Sequence, residues 1–156
     1  MTTSAKVQFA GKRSIVGERR SSLREVLEGL LFDHSRVGMV SVVFVDDTEI
    51  RRVHREFFGD DTPTDVVTFP TTDDKPTSFG DTVPRELLAD GHLGEVLVSV
   101  DTARRQASSR GLALERELAL YSIHGVLHIL GYDDKDKAGR EQMRRMERRY
   151  LGRLSF

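Results

Sequence analysis

His124 and His128 lie four residues apart, a spacing that sets two imidazoles on one side of an α-helix. Gly131 follows three residues later, and glycine tolerates the left-handed backbone that a sharp turn needs. Asp134, three residues further on, can then swing back towards the two rings. Two imidazole nitrogens and one carboxylate oxygen suit a divalent ion such as Zn2+, with a fourth position open. Such an ion activates water for hydrolysis, and no side chain is assigned as a catalytic acid or base. Asp133 is the nearest competitor for the third ligand position, and nickel or another divalent ion fits the same donors. The structural alternative is a pair of core histidines in an apolar helix; Gly131 and Asp134 weigh against it.

The spacing matches the His-Glu-x-x-His-x-x-Gly-x-x-His pattern of the metzincin proteases, with Asp134 for the third His. Gly125 occupies the position of the Glu that serves as base in that route, which counts against a protease. Cysteine is absent, so thiol catalysis, disulfides and Cys-based metal sites are excluded together. Any metal must be held by His, Asp or Glu.

The elements that must position these residues are legible from hydrophobic periodicity. Lys6 to Ala10 alternates as a short strand, and Ser21 to His34 has helical spacing with Ser21 or Ser22 as a cap. Met39 to Val45 is a β-branched strand, and Asp46 and Asp47 open a helix that runs to about Phe58. Gly59 to Pro63 is a turn, Asp65 to Pro70 a strand, and 71–92 a polar loop or flap. Leu93 to Val100 is a fourth strand. Asp101 caps a helix that ends at Gly111, Leu114 to Leu130 is a strongly apolar helix, and Lys137 to Tyr150 a charged one. The order predicts an α/β (α+β) fold in one domain over 1–156, with a mixed four-stranded sheet packed by about five helices.

The chain has 156 residues, 38% apolar and 31% charged, the balance of a globular protein. No apolar run approaches the roughly 18 residues that span a bilayer, and the first ten residues lack a signal-peptide core. A cytoplasmic protein with no membrane partner is the expectation. Net charge is −1 but unevenly spread: residues 46–95 hold thirteen acids and five bases, residues 135–156 eight bases and three acids. Arg104, Arg105 and Arg110 fall on one predicted helix, and Arg140, Arg144, Arg145, Arg148 and Arg149 on the last. Planar guanidinium groups suit phosphate, and Arg104, Arg105, Arg145 and Arg149 are the candidate contacts to a polyanion such as RNA. The alternative is ordinary surface charge with Glu141 and Glu147 as partners within the helix. His54, His92, Asp65 and Thr68 are further candidates for the cleft.

The string His124-Gly-Val-Leu-His128-Ile-Leu-Gly131-Tyr-Asp resembles the His-Gly-x-Leu-His-Leu-x-Gly-Tyr-Asp-His signature of the YbeY family of bacterial rRNA-maturation endoribonucleases. Pro63-Thr-Asp-Val-Val-Thr-Phe-Pro70 and Leu93-Gly-Glu-Val-Leu-Val-Ser-Val100 are similar to two further segments of that family, in the same order. The resemblance implies a compact α/β fold with a single metal and a zinc-dependent, single-strand-specific endoribonuclease. It also implies a part in maturing the small-subunit 3′ end and in ribosome quality control, with rRNA and the small ribosomal subunit as partners and no DNA. By position, His124 and His128 take the first two ligand roles and Asp134 falls where a third His usually stands. Many members have an Arg where this chain has Phe58. That departure favours the alternative of a non-catalytic ribosome-assembly factor with a structural metal site; a metalloprotease is the third reading.

Overall fold

The computed structural model describes residues 5–59, 64–70 and 91–156. Residues 60–63 of the predicted turn and 71–90 of the predicted loop lie outside the described residues. The described chain forms an α+β fold in the order β1 (Ala5–Gly11), α1 (Arg20–Asp33), β2 (Gly38–Val45), α2 (Asp47–Phe58), β3 (Val66–Pro70), β4 (His92–Ser99), α3 (Val100–Arg110), α4 (Leu114–Ile129) and α5 (Lys137–Leu151). The strands make one sheet in the order β1-β2-β4-β3. β1, β2 and β4 are parallel, and β3 pairs antiparallel with β4 at an edge, Val67 opposite Leu97.

Side chains alternate across a strand, so β2 and β4 feed two cores. Val40, Val42, Phe44, Val96 and Val98 face the larger one, with Leu27 and Leu30 of α1 and Leu118, Ile123 and Leu127 of α4. Val43, Val45 and Leu97 face the smaller one, closed by Ile50 and Val53 of α2. Burial on both faces explains why these strands are nearly continuous apolar runs.

Three predicted details differ. A 3₁₀ helix, Arg13–Arg19, precedes α1 and leads straight into it, so neither Ser21 nor Ser22 is a cap; the Arg20 amide bonds the Gly17 carbonyl instead. α3 is capped by Ser99, whose Oγ accepts from the Thr102 amide, and not by Asp101, whose carboxylate accepts from the Asp47 amide. β4 begins at His92, inside the span read as a loop. α2 starts as expected: Asp46 caps it by accepting from the Glu49 amide at 2.8 Å.

Candidate metal centre

α4 carries the two histidines on the side that borders β3, where they line a cleft with Val66, Val67 and Thr68. The helix is pressed against β3 and β4 at Gly125, where an added Cβ would stand 2.3 Å from Val96 Cγ1 and 3.2 Å from Val66 Cγ2. Any side chain at position 125 would force Val96 to shift, which counts against a base of the zincin route there.

The helix then ends in a Schellman turn. The Gly131 amide bonds the His128 carbonyl at 3.0 Å, the Tyr132 amide bonds the Leu127 carbonyl at 3.0 Å, and Gly131 has φ +102°. The Tyr132 hydroxyl lies 2.7 Å from His34 Nε2 and anchors the turn to the end of α1. The chain thereby returns Asp134 to the two imidazoles. Asp133 takes another course: its carboxylate accepts from the Lys135 amide at 3.1 Å.

The three donor atoms form a near-regular triangle. His124 Nε2 and His128 Nε2 are 3.0 Å apart, and Asp134 Oδ2 lies 3.7 Å from the first and 3.8 Å from the second. A point about 2 Å from all three exists between them, which matches zinc bond lengths of about 2.0–2.2 Å to imidazole nitrogen and carboxylate oxygen. Among the described residues, this is the one cluster of His, Asp or Glu able to hold a metal ion.

Glu147 of α5 completes the arrangement. Its Oε1 lies 2.6 Å from His124 Nδ1. With Nδ1–H donating to this carboxylate, the Nε2 lone pair of His124 points at the triangle, the usual role of a carboxylate behind a metal-ligating imidazole. Burial works to lower the His124 pKa. The hydrogen bond and charge of Glu147, with Asp134 and Asp65, overcome it and hold His124 above its ordinary value. His128 goes the other way, depressed by burial and by the neighbouring His124 ring. Sequence reasoning assigned Glu147 to arginines of its own helix. The missed signal was its phase: it falls between Met143 and Tyr150, both buried, at i+4 and i−3.

The centre sits where two clefts meet. One, of about 490 Å³, is lined by His54, Phe58, Asp65, Thr68, His128 and Lys135 among others; the second, of about 550 Å³, by Asp65, Arg105, Arg110, Tyr121 and Glu147 among others. Asp65 and His124 belong to both. His92 belongs to neither: it is buried, its Nε2 is 3.1 Å from Ser41 Oγ, and burial depresses its pKa. Of the four candidate RNA contacts, Arg105 lines the second cleft, held by Asp47 at 2.8 Å and Thr102 at 3.0 Å. Arg104 lies on a different surface, beside Lys12 and Asp46. Arg145 and Arg149 are exposed, and each is two residues from Glu147, which places it on the far side of α5 from the centre.

The family described as Endoribonuclease YbeY matches residues 7–155. The chain belongs to the YbeY family. Relatives named Endoribonuclease YbeY include one from Pelotomaculum thermopropionicum, 44% identical over 117 residues (75% of this chain, 72% of that protein). Another, from Desulfitobacterium hafniense, is 36% identical over 150 residues and 92% of each chain. The solution structure of TM1509 from Thermotoga maritima superposes with a TM-score of 0.62 at 26% identity, over 96% of this chain and 87% of that one. Membership in the YbeY family and the fold predicted from the sequence therefore agree with the four-stranded mixed sheet and five helices found among the described residues. No helix among those residues is long and apolar enough to cross a membrane.

Proposed function

We propose that this protein is a zinc-dependent, single-strand-specific endoribonuclease that matures ribosomal RNA in the cytoplasm. The 3′ end of the small-subunit RNA is its substrate, the small ribosomal subunit its partner, and ribosome quality control part of its role. The observation that carries the reading is the convergent donor triangle at the meeting of two clefts, in a member of a family whose relatives are named endoribonucleases.

In this reading His124, His128 and Asp134 hold the ion. Bound there, it supplies Lewis-acid activation of water for phosphodiester hydrolysis. Glu147 retains the Nδ1 proton of His124 and keeps Nε2 free for the metal. Arg105 and Arg110 line one wall of the second cleft and offer guanidinium groups to backbone phosphates. Arg104, Arg145 and Arg149 lie outside the two clefts and belong to a wider electrostatic footprint on rRNA.

The test is elemental mass spectrometry on protein purified without a His tag, paired with cleavage of single-stranded precursor RNA. About one zinc per chain, lost together with cleavage in His128→Ala and Asp134→Ala, is the expected result. No metal in the wild type even after zinc addition overturns it. Phe58 in the place of the family's usual Arg favours a second reading, a non-catalytic assembly factor. Binding to small-subunit particles that survives Asp134→Ala, with no cleavage by the wild type, would select that one.

A further inference from the structure

We propose that the Phe58 ring, on the rim of the cleft beside the donor triangle, is a stacking platform for one unpaired nucleobase of the RNA strand. The proposal rests on the RNA-cleaving reading of the site and adds to it a named subsite and its ligand chemistry.

Phe58 is a large apolar side chain left 57% exposed, although it lines a cleft otherwise rich in polar groups. Its ring is backed rather than loose: the His54 ring lies 5.6 Å away, tilted by 55°, and the Phe69 ring 5.8 Å away, tilted by 49°. His54 and Phe58 are four residues apart on α2 and so share a side of that helix. A supported, partly solvent-facing aromatic ring is what a nucleobase stacks on, and the contact is tolerant of sequence because every base has a π-face.

The surrounding charge fits that occupant. Phe58 closes the C-terminal end of α2, where the helix dipole is negative and phosphate is disfavoured. Lys135 lines the same cleft and supplies a cation for the backbone. A base on Phe58 with its phosphate drawn towards Lys135 and the metal side is the arrangement these charges favour. A base inside a duplex presents only its edge, so the subsite selects an unpaired nucleotide.

The test uses fluorescence anisotropy of a short labelled single-stranded RNA, in zinc and after chelation. Phe58→Ala is expected to weaken binding on the order of tenfold, and Phe58→Tyr to leave it close to wild type. One abasic position walked along the strand should weaken wild-type binding at one site by a similar factor and leave Phe58→Ala unaffected there. The chain has no tryptophan, so Phe58→Trp adds a single indole whose emission should be quenched by single-stranded RNA and not by a duplex. Wild-type affinity in Phe58→Ala, or an abasic penalty equal in both proteins, overturns the subsite while cleavage by the wild type leaves the endoribonuclease reading standing. A wild type that neither binds nor cleaves any RNA overturns both.

Discussion

Two helices present a pair of rings at i and i+4 to the same cleft: His124 and His128 on α4, His54 and Phe58 on α2. The α4 pair is tied on every side, by Glu147 behind one ring, Asp134 in front of both and a Schellman turn that sets Asp134. Its side chains are 22% and 26% exposed. The α2 pair is held by ring contacts at an open rim. The difference separates two jobs. Donor atoms for an ion must sit within a few tenths of an ångström, so their neighbours are hydrogen bonded and few alternatives remain. A ring that receives a base needs only a supported face and room above it.

The largest effect should come from breaking the α4 pair. Asp134→Ala leaves two imidazoles and no third donor, so thermal stabilisation by zinc is expected to vanish. The wild type at a hundred times its dissociation constant should gain about 2.7 kcal/mol. A variant whose melting temperature still rises with zinc would place the ion elsewhere.

Next is the packing beneath it. Gly125→Ala pushes a methyl group into Val96 and should cost about 1–3 kcal/mol, roughly 2–12 °C in melting temperature. Val96→Ala in the same chain should recover much of that loss, and simple additivity of the two changes would refute the contact.

Glu147→Gln then sharpens the comparison without removing a ligand. Zinc affinity should fall about 10–100-fold, as for other carboxylates behind ligating imidazoles. Its pH dependence should also move. Zinc must displace the proton of His124, whose pKa is raised, so wild-type affinity should fall as pH drops through a point above the ordinary histidine value. Removing the Glu147 charge lowers that pKa, and the fall should shift to lower pH. Competition with a chromophoric chelator across pH 5–8 reads both effects, and an unmoved midpoint would assign the raised pKa to Asp134 or Asp65.

The smallest change is expected at Arg105. Arg105→Ala should weaken RNA binding evenly across sequences and reduce the slope of log K against log salt by about one. Arg145→Ala, on the far side of α5, is the control and should leave the slope closer to wild type.

The convergence of His124, His128 and Asp134 was legible in the sequence because it follows local rules: a helical repeat, a glycine and a short return. Asp133 stayed a competitor in the sequence; the Schellman turn, seen only in the structure, brings Asp134 and not Asp133 to the two imidazoles. Glu147 was hidden by composition. It sits among Arg144, Arg145, Arg148 and Arg149, and only the buried Met143 and Tyr150 reveal that it faces inward. Arg13–Arg19 was missed because a 3₁₀ turn leaves no 3.6-residue repeat to detect. Ser99 and Asp101 are both good caps, and β4 passes into α3 without a breaker, so only coordinates decide between them. The edge position of β3, which brings Asp65 to Thr68 beside α4, depends on long-range pairing that no window of sequence contains.

The return of Asp134 has a consequence for how the molecule assembles. All three donors fall within eleven consecutive residues, His124 to Asp134. Closing so short a loop costs little chain entropy, whereas the parallel pairing of β1, β2 and β4 must bring together segments tens of residues apart. Closing the donor triangle therefore asks only that α4 wind and its last turn form. The triangle is thus the property of one local segment, and only Glu147 and the α2 rim reach it through the tertiary fold.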